Sequence, residues 1–195
     1  MNRWHLREWK IVGLYALLYF FCVGLGVLVG TLFDRAGNMF YAPAFAALFG
    51  GTVYMLLQSR VQKFGAISFL GILMGCFFFT AGHFFISFLP GLLFGLVADF
   101  IAKAGNYRSR KLSFLSFIVF SFVNSGPIIM MWLARSTYIA SLVARGRSSA
   151  YIERVMVPAN AQTISWFVLT ILLGAVLGAL IGQFVVQTHL SKKLS

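Results

Sequence analysis

The chain is a succession of apolar runs separated by short polar or basic punctuation. Six runs read as helices crossing a bilayer, at about 11–33, 40–57, 66–80, 84–101, 112–133 and 164–186. A hydrocarbon core of about 30 Å asks for roughly 20 apolar residues per helical crossing. The stretch 66–101 is almost wholly apolar and too long for one crossing, so it must fold back. Ala81, Gly82 and His83 mark the bend, and Pro90 with Gly91 is placed to kink the fourth helix. The one long connection is 135–163. Tyr138, Ile139, Leu142 and Val143 recur at helical spacing, as do Tyr151, Ile152, Val155 and Met156; Gly146 separates the two sets and Pro158 ends the second. Two short amphipathic helices are expected there, lying on the bundle. The pattern predicts an all-α polytopic membrane protein: residues 1–195 as one transmembrane domain, a compact bundle of six transmembrane helices with an outer helical loop between helices five and six.

Composition removes the alternatives. The chain is 60% hydrophobic and 10% charged, with four acids in all, Glu8, Asp34, Asp99 and Glu153. A soluble domain carries about 25% charged residues, so this one has no polar shell to offer water. The net charge of +12 reads as membrane anchoring and not as a nucleic-acid face, because the cations flank apolar runs. Six crossings put both termini on one side. That side holds eleven of the sixteen cations, including Arg60, Lys63, Lys103, Arg108, Arg110 and Lys111, and the other side holds Arg35, Arg135, Arg145, Arg147 and Arg154. The bias predicts cytoplasmic termini. The basic start of the chain leads into a run too long for a signal-peptide core, which reads as a retained first helix. Cys22 and Cys76 lie inside apolar runs and suggest packing, not a disulfide or a metal site.

Groups able to do chemistry are few. There is no His-Glu-x-x-His pair and no pair of acids within one crossing, which speaks against a membrane-embedded enzyme acting on lipid or peptide. A stand-alone secondary carrier would need an ion-coupling site. Asp99 is the only acid inside an apolar run, and Lys103 four residues on is its expected partner. His83 at the outer bend is a candidate hydrogen-bonding ligand. In helix five, Pro127 frees carbonyls one turn back and Asn124 and Ser125 add side-chain polarity, so the break either is sealed by neighbouring helices or lines a cavity holding the polar part of a ligand. Trp132, Arg135 and Tyr138 follow toward the outer face, where the guanidinium either snorkels or meets a carboxylate or phosphate. Gly26 and Gly30 form a small-xxx-small face for close helix approach.

Several stretches carry a resemblance: APAFAALFG from Ala42 to Gly50, VQKFG from Val61 to Gly65, AGH from Ala81 to His83, LFGLVADF from Leu93 to Phe100, KAGNY from Lys103 to Tyr107, GPII from Gly126, and RSTY from Arg135 to Tyr138. In order and spacing, across all six helices, they resemble the Trep-Strep type of integral membrane proteins, among the substrate-binding S components of energy-coupling factor (ECF) transporters. The resemblance implies a non-catalytic subunit of a prokaryotic cell membrane. It implies high-affinity capture of a vitamin or similar micronutrient near the outer face. It also implies assembly with a coupling membrane subunit and two cytoplasmic ATPases, which would hydrolyse the ATP. No cofactor or metal is implied. His83 and Arg135 match positions in the family pattern and become ligand candidates. Where many S components carry an Ala-x-x-x-Ala docking face, this chain has Gly13 and Ala16, with Gly26 and Gly30 as a second candidate face for the partner.

Overall fold

The structure, a computed structural model, describes residues 4–80 and 85–191. All regular structure among them is helical. Helix α1 (Leu6–Phe33) starts with a reciprocal cap, in which the His5 backbone N–H donates to Glu8 Oε2 at 2.8 Å. It ends at a polar turn where the Asp34 and Asn38 side chains accept from the backbone N–H groups of Ala36 and Phe40. Helix α2 (Ala42–Arg60) returns, with Pro43 in its first turn, where a missing N–H costs nothing. Helix α3 (Ala66–Thr80) and helix α4 (Leu89–Ala104) form the next antiparallel pair. Helix α5 (Arg110–Phe120) passes through a 3-10 segment, Ser121–Ser125, into α6 (Gly126–Leu133). Helices α7 (Arg135–Ala144) and α8 (Ser149–Val155) precede the long α9 (Ala161–Ser191).

Five helical segments are long and apolar enough to cross a membrane: Leu6–Phe33, Ala42–Arg60, Ile86–Ala104, Arg110–Leu133 and Ala161–Thr188. A shorter apolar helix, Ala66–Phe78, lies in the position of the third expected crossing. The bundle of six apolar helices with an appended helical connection is therefore the observed architecture. The bend expected at 81–83 lies outside the described residues. Pro90 plays a different part from the expected kink. It sits in the first turn of α4, directly after a 3-10 turn at Phe85–Phe88, so it starts the α-helix and interrupts nothing.

Several helix contacts are built on glycine because the backbones nearly touch. Between α2 and α9, a Cβ on Gly51 would lie 2.2 Å from the Gly178 carbonyl carbon, and one on Gly174 would lie 2.1 Å from the Ala44 oxygen. Between α3 and α4, Gly71 and Gly75 face Gly91, Gly95 and the Phe88 carbonyl in the same way. Two buried clusters result. The larger contains Tyr19, Tyr54, Leu57, Leu70, Phe117 and Phe120. The smaller, at the end away from the termini, joins Ile128, Met131, Phe167 and Ile171 to Tyr138 and Leu142 of α7 and to Val155 and Val157 around the end of α8. The outer faces of α1 and α9 are lined with exposed Leu, Ile and Phe, as a lipid-facing surface requires.

Asp99 does not pair with Lys103. Its Oδ2 accepts from the Gly65 N–H, the Ser68 N–H and the Ser68 hydroxyl at 2.8–2.9 Å, and its Oδ1 accepts from the Tyr107 hydroxyl at 2.9 Å. Helix α3 has no Ser, Thr, Asp or Asn in front of it, and Asp99 reaches across from α4 to satisfy the open N–H groups of its first turn. Lys103 instead lies over the Phe64 ring, 5.0 Å from its centre. Burial, with the Asp99 carboxylate beside it, pushes the Tyr107 phenol well above its ordinary range, so it remains a donor.

Candidate functional site

At the break between α5 and α6, serine hydroxyls add donors to the backbone carbonyls of the preceding turn. Ser121 Oγ donates to the Phe117 carbonyl at 2.8 Å, and Ser125 Oγ donates to that of Phe122. Gly126 permits the break to press against the 3-10 turn opposite, where a Cβ would meet the Ser87 oxygen at 2.2 Å. Pro127 then opens α6 in its first turn. One polar side chain in this segment keeps an unused valence. Asn124 is buried, its Nδ2 donates only a long 3.4 Å bond to Tyr19 Oη, and its Oδ1 has no partner. Tyr19 is itself held by an edge-to-face contact with Phe120.

Asn124 and Pro127 line a cavity of about 320 Å³ between α1, the start of α2, α3 and α6. Its other walls are Phe20, Val23, Gly24 and Val27 of α1, Met39 and Ala42, Phe77 and Phe78 of α3, and Ile128. Phe20 and Phe77 stack edge to face, with centres 4.6 Å apart. Asn124 supplies the only polar side chain among these described walls. A volume of this order lies at the lower end of small-molecule sites, and apolar walls with few polar groups are their usual make-up. Among the described walls there is no charged group and no nucleophile with a base. It can enclose a mainly apolar molecule and offer it one amide.

Of the six ligand candidates read from the sequence, the five described ones do not come together in one place. His83 lies outside the described residues. Asn124 lines the cavity. Ser125, its neighbour, is spent on the Phe122 carbonyl. Trp132 packs edge to face on Phe167 in the smaller cluster, with its indole N–H buried and unpartnered. Tyr138 is buried in the same cluster, and Arg135 is exposed at the start of α7; neither lines the cavity. The partner-face candidates divide similarly. Gly26 and Gly30 are used within the chain, since Cβ atoms there would meet the backbone of Ala46 at 2.5 Å and of Ala42 at 3.0 Å. Ala16 is buried, and Gly13 alone has open space around it. Gly26 and Gly30 therefore serve the contact between α1 and α2, while Ala16 is part of the larger buried cluster. Sequence does not distinguish the cavity's apolar walls, because a Phe or Val facing a hollow and one facing lipid look alike in an apolar run.

Among the described residues no three His, Cys, Asp or Glu side chains come together as a metal site would require. No curated protein and no solved structure gives a significant match to the chain. The family model described as hypothetical bacterial integral membrane protein (Trep_Strep) matches residues 6–192. Nearly the whole bundle, from the first turn of α1 to the end of α9, is covered by that match, and the chain belongs to the Trep_Strep family of bacterial integral membrane proteins.

Proposed function

We propose that this chain is the substrate-binding S component of an ECF-type importer in a bacterial cell membrane. In this reading the cavity beside Asn124 captures a micronutrient from the outer side, and a coupling membrane subunit with two ATPases drives its delivery. The observation that carries the reading is the hollow itself. A polytopic bundle whose glycine-built interfaces are close-packed keeps a cavity of about 320 Å³ at a helix break, with one unsatisfied amide oxygen in its wall. An unmet buried acceptor costs about 1–3 kcal/mol, and a ligand N–H or O–H relieves that cost. The ligand is accordingly small, uncharged where it meets the walls, mostly apolar or aromatic, and equipped with a hydrogen-bond donor. The helical layer α7–α8 covers the same end of the bundle and would close over it.

The test is to purify the full chain in nanodiscs, identify the co-purifying small molecule by mass spectrometry, and measure its Kd. Asn124→Leu keeps the size and removes the amide, and should weaken binding by about tenfold or more. Gly24→Leu fills the cavity from a position with nothing within 4 Å of an added Cβ, and should abolish binding without unfolding the protein. Arg135→Ala, exposed and away from the walls, should leave Kd within about twofold. A pull-down from native membranes should recover ATPase subunits. No bound molecule and no ATPase would overturn the proposal.

A further inference from the structure

A second cavity, of about 330 Å³, lies at the end of the bundle that holds the termini, between α2, α5 and α9. It is richer in polar side chains than the first. Gln58, Gln62, Arg108, Arg110, Ser113 and Gln183 are in its walls. Gln58 is 3% exposed; its Nε2 donates to Ser113 Oγ at 2.7 Å, and its Oε1 is buried without a partner. Gln183 Nε2 donates to the Arg110 carbonyl at 2.7 Å and ties α9 to the first turn of α5. Arg108 Nε donates to Gln62 Oε1 at 3.1 Å, so its side chain is held at the rim by a neutral group.

Among the described residues, no side-chain carboxylate pairs with these two arginines. Glu8 is paired with Lys63 at 2.7 Å, and Asp99 is enclosed by its four donors. Asp34 and Glu153 belong to the opposite end of the bundle, in the turn after α1 and in α8. A concavity lined by two arginines at its exposed rim, with no acid among its described walls and an orphaned amide oxygen, suits an anion that also carries a donor. Guanidinium forks match phosphate oxygens two at a time, and the cavity sits at the helix ends, where lipid phosphates lie in a bilayer.

We infer that this cavity binds a phosphate group borne by a molecule with a neighbouring hydroxyl or amine. Arg108 and Arg110 take the phosphate oxygens, and Gln58 Oε1 accepts from the donor. A lipid headgroup and a free phosphorylated metabolite share this chemistry. Full-length protein in a zwitterionic detergent would be titrated with short-chain phosphatidylglycerol and, separately, with glycerol 3-phosphate, following melting temperature and Kd. At least one probe should bind, and Arg108→Gln with Arg110→Gln should weaken it by about tenfold per arginine. Both side chains are exposed, so the double variant keeps its fold. Binding of the lipid alone assigns a headgroup site, and binding of both probes assigns a site for a free phosphorylated compound. Lys111→Gln, an exposed cation outside the cavity, is the control for general charge. Absence of binding by either probe, an unchanged Kd in the double variant, or an equal loss in Lys111→Gln would overturn the inference.

Discussion

At the scale of single residues, the buried carboxylate is the most consequential group in the chain. Asp99 is fully enclosed and accepts four hydrogen bonds, three of which hold the first turn of α3. The fourth comes from Tyr107, which has φ +58, a left-handed conformation that a bulky residue adopts only when something holds it. Removing the acceptor strands all four donors at once. Asp99→Ala should therefore cost about 3 kcal/mol or more, and Tyr107→Phe about 1–2 kcal/mol, read as loss of melting temperature in detergent. Lys103→Ala should change stability by no more than about 0.5 kcal/mol, since its ammonium lies on a ring face and not on the acid. An equal effect of Lys103→Ala and Asp99→Ala would restore the ion pair that the i,i+4 spacing suggested. The spacing failed because an acid can serve a helix other than its own, and that choice depends on which helix start lies uncapped beside it.

At the scale of elements, glycines set how closely helices approach, and position alone separates the structural ones from the rest. Gly178 faces the Ala47 carbonyl at 2.3 Å from an added Cβ, and the opposing atom is backbone that cannot turn aside. Gly178→Ala should force α2 and α9 apart and cost about 2 kcal/mol. Gly13→Ala, with nothing within 4 Å, should be neutral or stabilise by about 0.5–1 kcal/mol through helix propensity. Thermal unfolding of the two variants side by side checks both, and a destabilised Gly13→Ala would show an unexpected occupant of that face. The helix ends themselves were legible, because caps and breakers act locally. Gly146 with φ +71 separates α7 from α8, Ser148 caps α8 by accepting from the Tyr151 N–H at 3.3 Å, and Pro158 falls after α8, as the spacing predicted. Pro90 stands in the first turn of a new helix after a 3-10 segment and makes no kink, and Pro127 stands in the same place at the break expected of it. A proline states only that its own N–H is absent; whether a helix bends or restarts there depends on what packs beside it.

At the scale of the whole molecule, charge and polarity divide the bundle into two unlike ends. Near the termini, Glu8–Lys63, the Asp99 network and the amide-and-arginine cavity tie the loops after α2 and α4 to the body. At the other end, α7 and α8 lie over the smaller apolar cluster. If the cationic bias orients the chain as expected, the end with the termini faces the cytoplasm. In a background with Cys22 and Cys76 replaced, a cysteine at Gln62 or Arg108 should react with an impermeant maleimide only in opened cells, and one at Arg147 should react in intact cells. The reverse labelling would invert the bundle and place the Asn124 cavity toward the cytoplasm, against an importer that collects from outside.

The fold class, the six apolar helices and the two-helix connection followed from composition and periodicity, because lipid permits few solutions: each crossing must satisfy its own backbone, and length and apolarity announce it. The polar break at Asn124 and Pro127 was visible for the same reason, since polar side chains and a missing N–H stand out in an apolar run. Which apolar side chains face a hollow, which glycines touch a partner backbone and which donors Asp99 serves depend on how helices distant in sequence are rotated against one another. Trp132, Arg135 and Tyr138 follow Asn124 by about two to four helical turns, yet they belong to the neighbouring cluster or the surface, because α6 ends at Leu133 and the helix arrangement brings Phe20 and Phe77 to the cavity instead.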